Sequence, residues 1–203
     1  VVYDLRKRAD LRVWEKDDMT GRQHRREWLN CHVVCNADGI VDFEDGTGQA
    51  ILEVKSMNDN NFGNFKRNGV KSSHRKYYRQ MTMMMAMFQI EQSFFIAYNK
   101  NNSEYHAQLV TFDQEEWDEM YVKIQSALEG QAGRVASVPN DWRCKSCFKR
   151  ESCWSQEVDV NPACHFCKHS FANQNGGWTC KLTNRETTDP CDKYVQFRPE
   201  PRV

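Results

Sequence analysis

The chain has 203 residues, and its 28 Lys and Arg balance 28 Asp and Glu to give a formal net charge of zero at pH 7. This length accommodates one medium-sized domain and a small additional module. The balanced charge excludes a globally basic nucleic-acid-binding protein, so a nucleic-acid site would depend on a local patch. No stretch approaches the roughly 20 apolar residues that span a bilayer and no signal peptide is recognisable, so we expect a cytoplasmic protein without a membrane partner.

The predicted elements alternate between helices and strands. The N-terminal segment is predicted to be helical to about Trp14, residues 15–30 are ambiguous, and strands follow near 32–42 and 49–56. A loop, a helix near 74–91 and a hairpin of residues 93–98 and 104–112 come next. Asp113 and Glu116 form a capping-box-like pair that begins a helix running to about Gly130. The segment QAGRVASVPND is a predicted linker, so we expect an α/β core with a mixed sheet flanked by helices in residues 1–140 and a Cys-rich module in 141–203.

The two strands of CNADGIVDFEDGTGQAILEVK, residues 35–55, carry three charged side chains of special interest. A turn at residues 44–47 would place Asp38 opposite Glu53 and Asp42 opposite Gln49. Directly opposed side chains lie about 5 Å apart. Glu53 and Lys55 share a face because they are two residues apart in a strand.

Two carboxylates at that separation repel each other unless a cation lies between them. Ile51, Leu52 and Val54 indicate that the second strand is largely buried, and buried charges are usually paired or bound to metal. The spacing therefore predicts a Mg²⁺ site next to a lysine, which is suited to act on a phosphodiester. The alternative is a surface hairpin with ordinary charges, which we expect for the turn residues Glu44 and Asp45.

The run from Asp38-Gly-Ile-Val to Glu53-Val-Lys55-Ser-Met-Asn resembles the catalytic core of the PD-(D/E)xK nuclease superfamily. It is most similar to phage-type recombination exonucleases of the lambda exonuclease-like and RecB-like kinds. The resemblance implies a restriction-endonuclease-like fold in which Asp38, Glu53 and the Val54 carbonyl bind Mg²⁺ or Mn²⁺. Lys55 would position or activate the attacking water. Ala37 replaces the usual proline, and the longer gap between the acidic residues leaves Asp42 as an alternative first ligand.

The segment HRKYYRQMTMMMAM, residues 74–87, is a predicted helix with Tyr77, Gln80 and Met84 on one face. The resemblance implies that Gln80 braces Lys55 or contacts DNA, with Tyr77 beside it. The alternative is a buried amphipathic helix, and its methionines are expected in the core in either case. Members of the family also carry an acidic residue or a histidine on an early helix, for which Glu27 is a candidate.

A basic run lies between the Glu-x-Lys strand and this helix. Its cations are positioned to neutralise DNA phosphates, although a charge run is more often a solvated face. The candidate DNA-binding residues are Lys66, Arg67, Lys71, Arg75, Lys76 and Arg79. Phe62 and Phe65, which precede them, would either stack on bases or fix the loop.

Seven of the nine cysteines fall between positions 144 and 191, where hydrophobic runs almost vanish. CxxC pairs in an intracellular chain indicate metal rather than disulfides. Four thiolates fit a tetrahedral structural Zn²⁺ site, for which the candidates are Cys164, Cys167, Cys180 and Cys191. His165 and His169 are possible substitutes.

Cys144, Cys147 and Cys153 form a second set, in a spacing similar to the C-terminal part of the iron–sulfur motif of RecB-like nucleases. A [4Fe–4S] cluster would need a fourth ligand, and Cys31 and Cys35 are the only upstream cysteines. The alternatives are Zn²⁺ with three cysteines and one histidine, and buried free thiols at positions 31 and 35.

These features together predict a metal-dependent deoxyribonuclease, with an exonuclease of phage recombination as the most specific form. The resemblance implies DNA as substrate and a single-strand annealing protein as partner, in the host cytoplasm for a phage-encoded chain. The competing hypothesis is a non-catalytic DNA-binding or assembly module that keeps a nuclease-like fold and uses its zinc-binding tail. A third is a redox-sensitive iron–sulfur protein.

Overall fold

The computed structural model of the protein describes residues 1–28, 32–128, 132–154, 162–173 and 176–197. The chain divides into two compact units, Val1–Met120 and Tyr121–Val203. This division falls inside a helix, whereas the change in sequence composition comes later, at Asp141. Contact density and composition are different criteria, so the proposed module boundary stays a prediction.

The first unit is a mixed α/β structure. In chain order its elements are α1 (Val2–Leu5), β1 (Leu11–Trp14), β2 (Arg25–Trp28), β3 (Val33–Asn36), β4 (Gly39–Phe43), β5 (Gly48–Met57), α2 (Asp59–Ser73), α3 (Arg75–Phe88), β6 (Gln92–Asn99), β7 (Tyr105–Thr111) and the first half of α4 (Gln114–Leu128). Five strands form a sheet in the order β1-β4-β5-β6-β7, and β2 pairs separately with β3. Only β5 and β6 are parallel within the five-stranded sheet. α2 and α3 supply the long crossover that a parallel pair requires.

The core of this unit lies on both faces of the five-stranded sheet. One cluster joins Ile51 and Phe95 of the sheet to Phe65 of α2 and to the methionines of α3. Met81, Met84 and Met85 are almost fully buried, which confirms the expected core role for these three. A smaller cluster on the other face contains sheet residues with the apolar side chains of α1 packed against them. Since side chains alternate along a strand, Glu53 shares the α2–α3 face with Ile51.

Two predictions for the first 42 residues were wrong. Helix α1 ends at Leu5, and Leu11–Trp14 is a strand because it pairs with β4, so tertiary pairing outweighs the local preference for helix. The single strand expected at 32–42 is two strands. Val33–Asn36 pairs with β2, whereas Gly39–Phe43 pairs with β1 and β5, and the chain changes partner at Ala37 and Asp38.

The loop expected before residue 74 is also incorrect, because helix α2 occupies it. Asn58 caps this helix, accepting a hydrogen bond from the Asn61 N–H at 3.0 Å. Gly69, at φ 68°, interrupts the helix near its C-terminal end. Phe62 and Phe65 are buried in the core, so they fix this segment and are not available to stack on bases.

The later elements of the first unit agree with the sequence. β6 and β7 form the predicted hairpin, and α3 covers most of the predicted 74–91 helix. Asp113 caps α4 by accepting a hydrogen bond from the Glu116 N–H at 3.1 Å. The Glu116 carboxylate, however, binds Arg75 and Arg79 instead of completing a capping box.

The second unit contains short elements after α4. These are α5 (Trp142–Lys145), α6 (Arg150–Trp154), a 3₁₀ turn (Cys164–Phe166), β8 (Ser170–Ala172), β9 (Trp178–Cys180) and β10 (Arg185–Glu186). The three strands form an antiparallel sheet in the order β10-β9-β8. The described part of the predicted linker, residues 132–141, contains no helix. No helix among the described residues has the length and apolar character needed to cross a membrane.

Candidate active site

Asp38 and Glu53 come together where the β4–β5 hairpin ends. Gly39 pairs with Leu52 and Asp42 with Gln49, so the hairpin has the predicted register, and one further step brings Asp38 to Glu53. Asp38 lies just before β4, where main-chain pairing with β5 has ended. Its side chain, instead of its main chain, accepts the next hydrogen bond from β5. Its Oδ2 accepts a hydrogen bond from the Val54 N–H at 2.9 Å. The position of this carboxylate is therefore fixed by the main chain of β5.

Glu53 is the most deeply buried charged side chain of the site, with 1% of its surface exposed. Its Oε1 accepts hydrogen bonds from Lys55 Nζ and from Gln80 Nε2, the second at 3.0 Å. Burial raises the pKa of Glu53; Lys55 opposes this shift, the charge of Asp38 adds to it, and Gln80 opposes it. The net rise in pKa means that the protein alone does not fully compensate this charge, which a bound divalent cation would do.

Lys55 is held between Glu53 and an aromatic stack. Its Nζ lies 5.3 Å from the centroid of the Tyr77 ring, within cation–π distance. Tyr77 in turn stacks on His74, with ring centroids 5.6 Å apart and planes inclined by 8°. Burial lowers the pKa of His74. From the sequence this histidine was expected only as part of the basic run, although its spacing of three residues from Tyr77 at the start of a helix could have indicated the contact.

Three oxygens at this site are suited to a divalent cation. Among the described residues, no donor binds Asp38 Oδ1 or Glu53 Oε2. In an extended strand the N–H and C=O of one residue point to the same side, so the Val54 carbonyl faces Asp38 as its N–H does. Two carboxylate oxygens and one carbonyl are ligands that Mg²⁺ and Mn²⁺ prefer. A metal at this position would complete its coordination with water and phosphate oxygens.

Asp42, the alternative first ligand, is placed away from Glu53. It lies four residues along β4 from Asp38, about 13 Å at the usual rise of a strand. Its neighbours across the sheet are Gln49 on one side and Arg12 on the other. The geometry therefore favours Asp38 over Asp42.

The segment before β3 is not the early helix that the family resemblance implied for Glu27. Glu27 lies in β2 rather than on a helix, and its carboxylate is 2.7 Å from the guanidinium of Arg25. His24 is the ionisable residue next to the Asp38 turn, because its carbonyl accepts a hydrogen bond from the Ala37 N–H at 3.0 Å. The buried His24 ring contacts the Trp14 carbonyl through Nε2 at 3.0 Å. This contact joins β1 to the start of β4 and was not visible in the sequence.

The basic run does not form one uncompensated patch. Four of its six cations have carboxylate partners: Lys66 pairs with Glu104, Lys71 with Asp113, and Arg75 and Arg79 with Glu116. Within the described ranges, Arg67 and Lys76 have no ion pair. The local positive field is therefore weaker than the sequence indicates, and DNA contact by these residues stays a prediction.

Asp113 is the centre of the network that joins α4 to α2 and α3. Its Oδ2 accepts hydrogen bonds from Lys71 Nζ and from the Tyr78 hydroxyl, each at 2.7 Å. These bonds, with that from the Glu116 N–H, hold the pKa of Asp113 well below its usual range. Burial and the Asp113 bond raise the pKa of Tyr78 to about 12. The network fixes the outer side of the helix that carries Tyr77 and Gln80.

The cysteines of the second unit fall into two groups. Four of them, Cys164, Cys167, Cys180 and Cys191, line one cavity of about 110 Å³. Hydrogen bonds from the Leu182 and Thr183 backbone lower the pKa of Cys180. In the other group Cys144 is buried in α5, Cys147 is exposed and Cys153 lies in α6. Within the described structure no three His, Cys, Asp or Glu side chains yet converge as a ready-made metal site.

The two upstream cysteines do not provide a fourth cluster ligand in the described structure. Cys31 lies outside the described residues. Cys35 is buried with its Sγ 3.3 Å from Met87 Sδ, and burial raises its pKa to about 11. Cys35 thus has the surroundings of a buried free thiol, which was the alternative considered for it.

The site around Glu53 has the chemical parts that metal-assisted phosphodiester hydrolysis requires. It provides convergent acidic oxygens for a cation, an adjacent ammonium for a developing negative charge, and side chains that hold both in place. No family model matches the chain, and no curated protein is significantly similar to it in sequence.

Proposed function

We propose that the protein is a metal-dependent deoxyribonuclease of the PD-(D/E)xK type, built on a restriction-endonuclease-like core. The observation that carries this proposal is the meeting of Asp38, Glu53 and Lys55 at the end of one hairpin, with Glu53 almost fully buried. A buried glutamate beside a half-buried aspartate has no stabilising purpose of its own, because desolvation and mutual repulsion both disfavour it. A cation-binding function accounts for its presence.

Each side chain has a definable task in hydrolysis. Asp38, fixed by the Val54 N–H, and Glu53, fixed by Gln80, would hold Mg²⁺ or Mn²⁺ together with the Val54 carbonyl. When bound, the metal supplies Lewis-acid polarisation of the scissile phosphate and lowers the pKa of the attacking water. Lys55 then turns from Glu53 toward that water or the phosphate, where its ammonium stabilises the developing charge. Tyr77 limits this movement by keeping Nζ over its ring.

DNA is the proposed substrate, and the uncompensated cations of the basic run are the proposed phosphate contacts. Arg67 and Lys76 would bind DNA phosphates first, because they have no carboxylate partner among the described residues to release. The paired cations would then exchange their carboxylates for phosphates; these are Lys66, Lys71, Arg75 and Arg79. Exonuclease polarity of the phage-recombination type, a strand-annealing partner and a host-cytoplasmic location follow from the resemblance alone. An iron–sulfur cluster at Cys144, Cys147 and Cys153 is likewise proposed only on that resemblance.

The test compares Glu53→Gln and Lys55→Ala with wild type on linear and closed circular DNA in the presence of Mg²⁺. Matched controls are Glu91→Gln and Lys100→Ala, which change the same residue types at exposed positions outside the site and the basic run. We expect both site variants to lose about 10²-fold or more in rate, the usual effect of removing a group that stabilises charge in the transition state, and the controls to remain active. Full activity of both site variants would refute this active site.

Two further readouts refine the result. Cleavage of closed circles would identify an endonuclease instead of an exonuclease. Isothermal titration with Mn²⁺ distinguishes the enzyme from a non-catalytic module with a nuclease-like fold. We expect wild type to bind Mn²⁺ and Glu53→Gln to bind it weakly, whereas equal weak binding by both would support the module.

A further inference from the structure

The cavity in the second unit brings together four thiols from residues 164–191. Cys164 is the first residue of the 3₁₀ turn, and Cys167 directly follows the turn. The Cys167 N–H donates a hydrogen bond to the Cys164 carbonyl at 2.9 Å and closes the turn. Cys180 ends β9, and its backbone pairs with Ser170 of β8 and Arg185 of β10. Cys191 comes from the segment after β10. One cavity is thus lined by sulfurs that three separate segments of the chain supply.

The region around this cavity has little hydrophobic core to hold it together. Its strands are two or three residues long, and Cys164 and Ser170 are its only buried residues in the described ranges 162–173 and 176–197. All the described cysteines are free thiols. Small modules with so little buried apolar surface are usually stabilised by disulfides or a structural metal. A cross-link through these four sulfurs would supply what the core lacks.

Polar groups surround the four sulfurs, and two of them contact Cys164 directly. Thr183, Thr187 and Lys193 line the cavity beside the cysteines. Cys164 Sγ lies 3.2 Å from Thr187 Oγ1 and donates its own proton to the Asp189 carbonyl at 2.9 Å. Hydrogen bonds to sulfur orient a thiolate ligand and neutralise part of its charge, as outer groups do at metal sites.

A second observation is independent of the cysteines. The Ser170 side chain is 6% exposed and lines the same cavity. Its Oγ is buried and has no hydrogen-bond partner among the described residues. A buried hydroxyl without a partner is unfavourable unless another group, such as a metal-bound thiolate, accepts its hydrogen bond.

We propose that Cys164, Cys167, Cys180 and Cys191 bind one structural Zn²⁺, with the Ser170 hydroxyl donating a hydrogen bond to a bound sulfur. Four thiolates favour zinc over Mg²⁺ or Mn²⁺, and a site without an open position is structural rather than catalytic. Since no three of the described thiols yet converge on one point, binding requires their side chains to turn toward the cavity. Binding also displaces the Cys164 proton from Asp189, so zinc uptake releases protons.

Elemental analysis of the full chain tests this proposal. We expect Cys180→Ser and Cys191→Ser each to lose one equivalent of zinc per chain relative to wild type. Cys35→Ala is the matched control, because it removes a buried thiol of the first unit, and its zinc content should equal that of wild type. Unchanged zinc content in both ligand variants would overturn the proposal. So would a loss of iron and acid-labile sulfide, instead of zinc, from these variants.

Cobalt substitution keeps the proposal testable if the variants fold poorly. Wild-type chain stripped of metal and titrated with Co²⁺ should develop intense visible bands of a tetrahedral site and a thiolate-to-cobalt charge-transfer band. Weak bands typical of octahedral oxygen ligation would overturn it. Both readouts can be repeated in Glu53→Gln, whose hydrolytic site is altered, so failure here and failure of the nuclease proposal are separate results.

Discussion

Gln80 provides a quantitative test of how the site is held together. Its Nε2 donates to Glu53 Oε1 at 3.0 Å, and Gln80→Ala removes that bond without removing a proposed ligand. A hydrogen bond to a charged group contributes about 1.5–3 kcal/mol, and the exposure of Gln80 favours the lower end of that range. A loss of about 1.4 kcal/mol is a tenfold change in an equilibrium constant. We therefore expect Gln80→Ala to bind Mn²⁺ and to cleave DNA about tenfold less well than wild type.

The assay combines Mn²⁺ titration calorimetry, single-turnover cleavage and thermal unfolding of the same preparations. Gln114→Ala is the control, because Gln114 is also exposed on a helix and its Nε2 also binds a carboxylate, that of Asp118 at 2.8 Å. Gln114→Ala should unfold within about 0.5 kcal/mol of wild type, as is usual for surface changes. Gln80→Ala should lose about 1.5 kcal/mol of unfolding free energy with its bond to the buried Glu53 carboxylate. The reasoning fails if Gln80→Ala binds Mn²⁺ and cleaves DNA no worse than Gln114→Ala does.

Three other predictions concern charge and packing near the site. Because burial raises the pKa of Glu53, ionisation of this carboxyl opposes folding. Metal-free Glu53→Gln should therefore melt at a higher temperature than wild type at pH 8, and the difference in melting temperature should close as pH falls toward 4. A difference that does not depend on pH would contradict this prediction. Asp113 has a depressed pKa, so its charge stabilises the fold above the unfolded-state pKa, and that stability is lost as pH falls through the folded-state pKa. In urea unfolding, Asp113→Asn should accordingly be less stable than wild type by about 1.5–3 kcal/mol at pH 7, the usual contribution of a hydrogen bond to a charged group. The difference should be smaller at pH 3, and an equal difference at both pH values would count against this prediction. Tyr77→Leu removes a cation–π contact of about 0.5–1 kcal/mol with Lys55 and should cleave DNA roughly two- to fivefold more slowly than wild type in single-turnover assays. Tyr77→Phe keeps the ring and should match wild type. Equal rates for the two variants would rule out a role for the contact.

The features that sequence predicted correctly depend on local geometry. Counting back from the 44–47 turn gives the β4–β5 register, and alternation along β5 puts Glu53 and Lys55 on one face. Capping of α4 by Asp113 is equally local. Each of these inferences needs only the chain within about fifteen residues.

The features that sequence analysis missed depend on partners distant in the chain. Helix α2 has an Asn- and Gly-rich sequence of low helix propensity, and it forms because Phe62 and Phe65 are buried against the sheet. The break at Ala37 reflects separate strand partners on either side of it. The carboxylates that neutralise most of the basic run come from residues 104–119, which no local pattern connects to it.

The bond between Asp38 and the Val54 main chain makes the site unequally tolerant of changes in chain length. Adding residues at the exposed tip, 44–47, lengthens the hairpin away from the ligands, so a fluorophore or affinity handle could be attached there. Adding or deleting one residue between Gly39 and Phe43 would instead rotate every preceding side chain to the opposite surface of the sheet. Asp38 would then face the α1 side, and the two acidic groups would be separated by the thickness of a strand.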